Sequence, residues 1–246
     1  MWHWWVVFNN GEIASAITGE KIGWSFNIEQ QEVSEIFAAW IDRMSDCLGQ
    51  LSFTTERETI KGNLPKCFKP DYEDVYLIID CTESQVILDR VQGPQHWKSF
   101  AWSVTTIAAS LLSDIYPGSK SDEEILSQSG ILSFAQQGDR WLADKGFIVQ
   151  HILDNWGVRV ETPTKLEGKK QFSVEEDIHN RKNSQVRVHV EGGIRRVKVF
   201  RILQGNIPLR YSHLLSKLWK VCCWLTAFLP PLIRDDVELM AEMKEE

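Results

Sequence analysis

The sequence predicts an α/β fold in which helices cover both faces of a sheet, and three observations carry that expectation. The run Val75-Tyr76-Leu77-Ile78-Ile79 is β-branched and aromatic without polar alternation, the pattern of a central strand buried on both faces. A second short run of the same kind, Arg140-Trp141-Leu142-Ala143, also ends on an aspartate, Asp144. Between and around these runs, apolar residues recur at spacings of three and four, the mark of helices that bury one stripe.

Taken in order, the elements begin with an apolar N-terminus. Met1 to Phe8 has no basic region before it and too short an apolar run to be a signal peptide, and it reads as an internal element with a truncated start. From Ile28 the residues Val33, Ile36, Phe37, Trp40, Ile41 and Met44 draw one stripe, which predicts a helix over 28–48. With the polar turn near Asn27 before it, this suits the second helix of a helix-turn-helix, with Gln30, Gln31 and Ser34 exposed near its start, although any two-helix corner looks similar. Gly62, Pro65 and Pro70 give 62–74 the composition of a linker. The first strand ends at Asp80 and is followed by Val86-Ile87-Leu88. After Asp144, Lys145-Gly146-Phe147 leads to a helix through Ile152. Val186, Val190, Ile194 and Val197 stripe a later helix that carries Glu191, with Arg187, Arg195 and Lys198 along its flank. Leu214 to Ile233 is greasy, but Lys217, Lys220 and Pro230-Pro231 make it a buried helix rather than a span of about 20 apolar residues.

Composition excludes more than it selects. Hydrophobic residues at 43% and charged residues at 25% are ordinary for a soluble globular chain of 246 residues, so neither disorder nor a coiled coil is called for. Five cysteines without a C-x-x-C pair argue against a zinc cluster and a disulfide framework, and so for a reducing, intracellular compartment. Six scattered histidines offer no ligand spacing, and nucleotide-binding loops, nucleophile elbows and H-E-x-x-H pairs are absent from the sequence. The net charge of −7 hides an uneven distribution. Between Arg181 and Lys220 ten basic residues stand against one acid, Glu191, while the tail from Asp235 to Glu246 holds six acids against Lys244. The basic stretch suits a polyanion or simply a solvated face.

Asp80, Asp144 and Glu191 form the one constellation with a clear chemistry. Carboxylates from separate elements can hold divalent ions, which keep further positions for water and phosphate and so assist phosphodiester cleavage. The same residues also suit plain structural roles: Asp80 closing a turn, Asp144 capping the next helix, Glu191 facing solvent.

Three strings add a resemblance. Ile78-Ile79-Asp80-Cys81-Thr82-Glu83, Leu142-Ala143-Asp144-Lys145-Gly146-Phe147, and Val188-His189-Val190-Glu191 continuing to Phe200-Arg201-Ile202-Leu203 resemble, in order and separation, the catalytic blocks of Harbinger-type transposase-derived endonucleases of the DDE superfamily. Pro65-Lys66-Cys67-Phe68, Tyr116-Pro117-Gly118-Ser119-Lys120-Ser121-Asp122, Leu218-Trp219-Lys220-Val221-Cys222-Cys223 and Pro230-Pro231-Leu232-Ile233 extend it across most of 20–233. The resemblance implies a ribonuclease-H-like mixed sheet flanked by helices over 75–233, after a helix-turn-helix-like segment at 1–61 and the linker at 62–74, with an acidic tail at 234–246. It implies a nuclear DNA endonuclease or transposase-derived nuclease. Asp80, Asp144 and Glu191 would be catalytic and would hold Mg²⁺ or Mn²⁺; Arg187, Arg195, Arg196, Lys198 and Arg201 would contact DNA. Asp122 matches a recurrent aspartate of open role. A separate protein would supply the further DNA-binding module that relatives carry ahead of this domain, and neither a membrane nor a nucleotide cofactor is involved.

Two departures support the alternative, a domesticated or degenerate remnant that binds DNA or protein without catalysis. Trp97 to Ser113 is short for the second and third strands of the family, which predicts a truncated sheet and a disturbed Asp80. Gly192-Gly193 falls inside the helix that carries Glu191, where each glycine costs about 1 kcal/mol relative to alanine, and predicts fraying.

Overall fold

The computed structural model describes residues 27–50, 57–62, 64–87, 94–103, 111–144, 146–166, 168–204 and 209–229. The N-terminal tryptophans, any first helix of a helix-turn-helix, Pro230-Pro231 and the acidic tail lie outside them. The described elements are α1 (Gln30–Gly49), α2 (Arg57–Gly62), β1 (Val75–Ile87), β2 (Pro94–Ser103), β3 (Leu111–Leu112), β4 (Tyr116–Pro117), α3 (Asp122–Gln128), β5 (Arg140–Ala143), α4 (Gln150–Leu153), β6 (Arg159–Glu161), α5 (Val174–Lys198) and α6 (Leu215–Thr226), joined by short 3-10 turns.

The strands make one mixed sheet in the order β3-β2-β1-β5-β6, with β4 also paired to β2. β1 runs antiparallel to β2 and parallel to β5, and β5 runs parallel to β6. The unalternating apolar run of β1 has its expected cause, because the strand is covered on both sides. Val75 and Ile78 join Leu142, Val186, Ile194, Val197 and the α6 residues Leu215, Leu218 and Trp219 in one core. Tyr76, Leu77 and Ile79 join Trp141, Ala143, Ile125, Leu126 and Leu153 in the other. A register shift against β5 between Val75 and Leu77 changes the face on which side chains emerge.

The sheet keeps the strands that the short segment from Trp97 to Ser113 puts at risk. β2 is ten residues long and is paired with β1 from Ile78 to Ile87, and the described part of β3, Leu111–Leu112, pairs with β2 on its other side. The neighbour of Asp80 is therefore in place. The glycine pair leaves α5 intact, since the helix runs unbroken from Val174 to Lys198. Buried Val186 lies before the pair and buried Ile194 and Val197 after it. Each such side chain contributes about 1.5–3 kcal/mol on burial, more than a glycine takes away.

Residues around the linker composition add to the core: Leu64, Phe68 and Tyr72 are buried with α1, α5 and α6 residues. Arg57 on α2 holds both carboxylate oxygens of Asp139, at 3.1 and 2.8 Å, and lies over the Tyr76 ring, so α2 is tied to the start of β5. Gly157 adopts a left-handed φ of 64° before β6, and a Cβ there would meet the Gln137 side chain at 2.9 Å. That turn therefore requires glycine.

Candidate active site

The register of the sheet sets the first two acids side by side. Ile79 on β1 pairs with Ala143 on β5, and the next residue on each parallel strand is an aspartate, Asp80 and Asp144. Neighbouring strands lie about 4.8 Å apart, so the two carboxylates leave adjacent strands. Asp144 directly follows the end of β5, but β1 does not end at Asp80 as the sequence predicts, because pairing with β2 carries the strand on to Ile87 and leaves Asp80 within it. By alternation they leave on the face of Ile78 and Leu142, which is the face α5 covers.

α5 brings two more charged groups to that face. Arg187 and Glu191 are one helical turn apart, and the guanidinium of Arg187 stands 3.6 Å from a Glu191 carboxylate oxygen and 3.0 Å from one of Asp144. The Arg187 side chain is only 12% exposed, whereas those of Asp144 and Glu191 are 59% and 49% exposed. The guanidinium thus forms the inner part of the cluster and the two carboxylates its outer rim. This differs from a place along the solvent flank of α5, because Arg187 meets Asp144 just past the end of β5 and its charge acts on Asp80 within β1.

Asp80 completes the arrangement electrostatically. Burial pushes its carboxyl up to about 6 from an ordinary 3.8; the Arg187 charge pulls it back, the Glu191 and Asp144 charges push it further, and a hydrogen bond from the Cys81 backbone lowers it. Three acids from two strands and one helix therefore share one arginine. Their chemistry suits a hard divalent cation, since carboxylate oxygens are its preferred ligands. Their spacing is wider: among the described residues no three acidic, histidine or cysteine side chains stand close enough together to hold one ion. The shared guanidinium stands in for the positive charge that such an ion would bring.

Other singled-out residues lie elsewhere. Asp122 begins α3, next to its N-cap Ser121, and lies 3.8 Å from Lys98. Lys98 is three residues from Ala101, the partner of Asp80, so it projects from the opposite face of the sheet. Arg195 and Lys198 are exposed on the last turns of α5 and Arg196 is half-buried; the Arg201 side chain is outside the described residues. The sequence carried no signal for Asn183, one turn before Arg187, which is fully buried with neither amide atom hydrogen-bonded to a described residue. No helix among the described residues is long and apolar enough to cross a membrane.

Residues 101–227, more than half of the chain, match the family described as DDE superfamily endonuclease. The matched stretch contains Asp144, Arg187 and Glu191 and begins after Asp80. No curated protein matches the chain.

Proposed function

The chain belongs to the DDE superfamily endonucleases, and on that premise we propose that it is a Harbinger-type, transposase-derived nuclease that cleaves DNA phosphodiester bonds with Asp80, Asp144 and Glu191. The observation that carries this reading is the meeting of the three acids, from three separate elements, around Arg187 on the face of the sheet that α5 covers. A ribonuclease-H-like architecture for the domain is supported by the strand order, in which an antiparallel β3-β2-β1 unit is extended by parallel β5 and β6.

In this reading the three carboxylates hold Mg²⁺ or Mn²⁺. A divalent ion bound there supplies Lewis acidity and lowers the pKa of water at the scissile phosphate. Asp80 is fixed by its long pairing with β2 and by its burial, and acts as the rigid member. Asp144 and Glu191, on the exposed rim, face an incoming backbone. Arg195, Arg196, Lys198 and Arg201 lie along the C-terminal end of α5 and the turn after it, where they would contact phosphates flanking the cut. A nuclear location and a separate partner supplying further DNA recognition belong to the same reading.

The spacing of the acids favours a second reading, a remnant that keeps the fold and binds DNA or protein without cutting. Arg187 then neutralises the cluster permanently. The two separate in a melting experiment with Mn²⁺. A ligand that binds only the folded state stabilises by RT ln(1 + [L]/Kd), about 2.7 kcal/mol at a hundredfold excess over Kd. The nuclease reading expects Mn²⁺ to raise Tm by several degrees, Asp144→Asn to abolish the rise, and the parent chain to nick plasmid DNA in Mn²⁺. Unchanged melting in both proteins, with no nicking, would establish the remnant.

A further inference from the structure

The Arg187 guanidinium is held in a place that a nuclease needs vacant. It lies between the carboxylates of Asp144 and Glu191, its side chain is nearly covered, and its charge also acts on Asp80. A divalent cation and a guanidinium compete for the same oxygens, and both cannot sit at full strength between two carboxylates. Arginine also carries a planar fork of donors that fits a phosphate as well as it fits a carboxylate. We propose that Arg187 is an exchangeable counter-cation: it holds the acidic cluster together in the metal-free chain, yields the carboxylates when a divalent ion enters, and transfers to a backbone phosphate of bound DNA.

This rests on the metal-nuclease reading and adds a coupling to it. If the same arginine must leave for metal to bind and is drawn away by a phosphate, DNA must tighten the metal and metal must tighten the DNA by the same factor. The position of Arg187 on α5 permits this, because the helix that carries it continues directly into the basic turns holding Arg195, Arg196 and Lys198. A merely structural ion pair would bring no such coupling, since it would persist in the loaded site.

The test is Mn²⁺ binding to the full chain, followed by the paramagnetic resonance signal of free Mn²⁺, with and without a random-sequence DNA duplex. Arg187→Gln removes two ion pairs, each worth about 0.2–1 kcal/mol, so it is expected to bind Mn²⁺ roughly two- to thirtyfold tighter than the parent chain without DNA. The duplex should tighten Mn²⁺ binding to the parent chain and leave that of Arg187→Gln unchanged. Arg187→Lys keeps the charge but loses the fork, so it should bind Mn²⁺ with intermediate affinity, and it serves if the glutamine variant does not fold. Equal or weaker Mn²⁺ binding in both variants, with binding abolished by Asp144→Asn, would overturn the exchange while leaving the metal site standing. Absence of Mn²⁺ binding in the parent chain and both Arg187 variants would overturn the metal-nuclease reading and the exchange with it.

Discussion

Asp80 shows how much of a site is local and how much is tertiary. Its place at the end of the apolar run Val75-Tyr76-Leu77-Ile78-Ile79 is legible, but that run is not the end of the strand, because pairing with β2 carries β1 on to Ile87. The inward turn of Arg187 is not legible in the same way. An arginine four residues before a glutamate on a helix reads as a solvent-facing ion pair, and only the packing of α5 on β1 and β5 brings Asp144 within 3.0 Å of it. The electrostatics of Asp80 yield a test with a definite sign. Its carboxyl is raised from 3.8 to about 6, chiefly by burial, so the folded chain holds that proton more tightly than the unfolded chain. The corresponding stability is fully present below the ordinary value and is lost as pH rises through about 6. Asp80→Asn, an isosteric neutral side chain, should therefore melt like the parent chain near pH 4 and a few degrees above it near pH 7.5, both without metal. A difference in Tm that is the same at both pH values would show that the charge on Asp80 carries no net penalty.

Elements were legible where periodicity is strong and obscure where a strand exists only because a neighbour holds it. β1, β5, α1, α5 and α6 lie where apolar runs and stripes place them. β2 has the mixed sequence Pro94-Gln-His-Trp-Lys-Ser-Phe-Ala-Trp-Ser103, and β4 is two residues, too short for any period to register. Pairing with β1 and β2 supplies the hydrogen bonds that local propensity does not. Helix α5 was the element in doubt, and its continuity depends on burial on either side of Gly192-Gly193 together with a strong start. Ser173 accepts from the Glu176 N–H at 3.1 Å while the Glu176 carboxylate accepts from the Ser173 N–H at 2.8 Å, a reciprocal capping box. Losing such a cap costs about 1 kcal/mol, and for a chain of this size each kcal/mol corresponds to roughly 2–4 °C. Ser173→Ala should lower Tm by that amount, and because Arg187 and Glu191 ride on the same helix, Mn²⁺ should recover part of the loss. Melting indistinguishable from the parent chain would show that packing alone defines the start of α5.

At the scale of the whole molecule, the net charge of −7 and the proposed DNA partner are reconciled by where the charges lie rather than by how many there are. The basic residues concentrate from α5 into α6, and part of that charge is already committed: Lys217 pairs with Asp42, Lys220 with Asp114, Lys182 with Asp71, and Arg181 with Asp177, at 2.7 to 2.9 Å. The segment total of the sequence therefore overstates the charge presented to a phosphate backbone. At the C-terminal end of α5, Arg195, Arg196 and Lys198 follow Glu191 within two turns and carry their charges next to the acidic rim. Each phosphate contact neutralised by a basic side chain releases counterions, and log Kobs falls with log salt with a slope of about −0.9 per contact on duplex DNA. Replacing Arg195, Arg196 and Lys198 together by alanine should weaken binding to any duplex sequence alike and flatten the salt slope by up to about 2.7, as three contacts require. Fluorescence anisotropy of a labelled duplex over a salt series measures both quantities at once. Weaker binding with an unchanged slope would mean that the three residues shape the surface without touching phosphate, and the DNA path would then have to run over the other side of the acidic rim, across Asp144 and the end of β5.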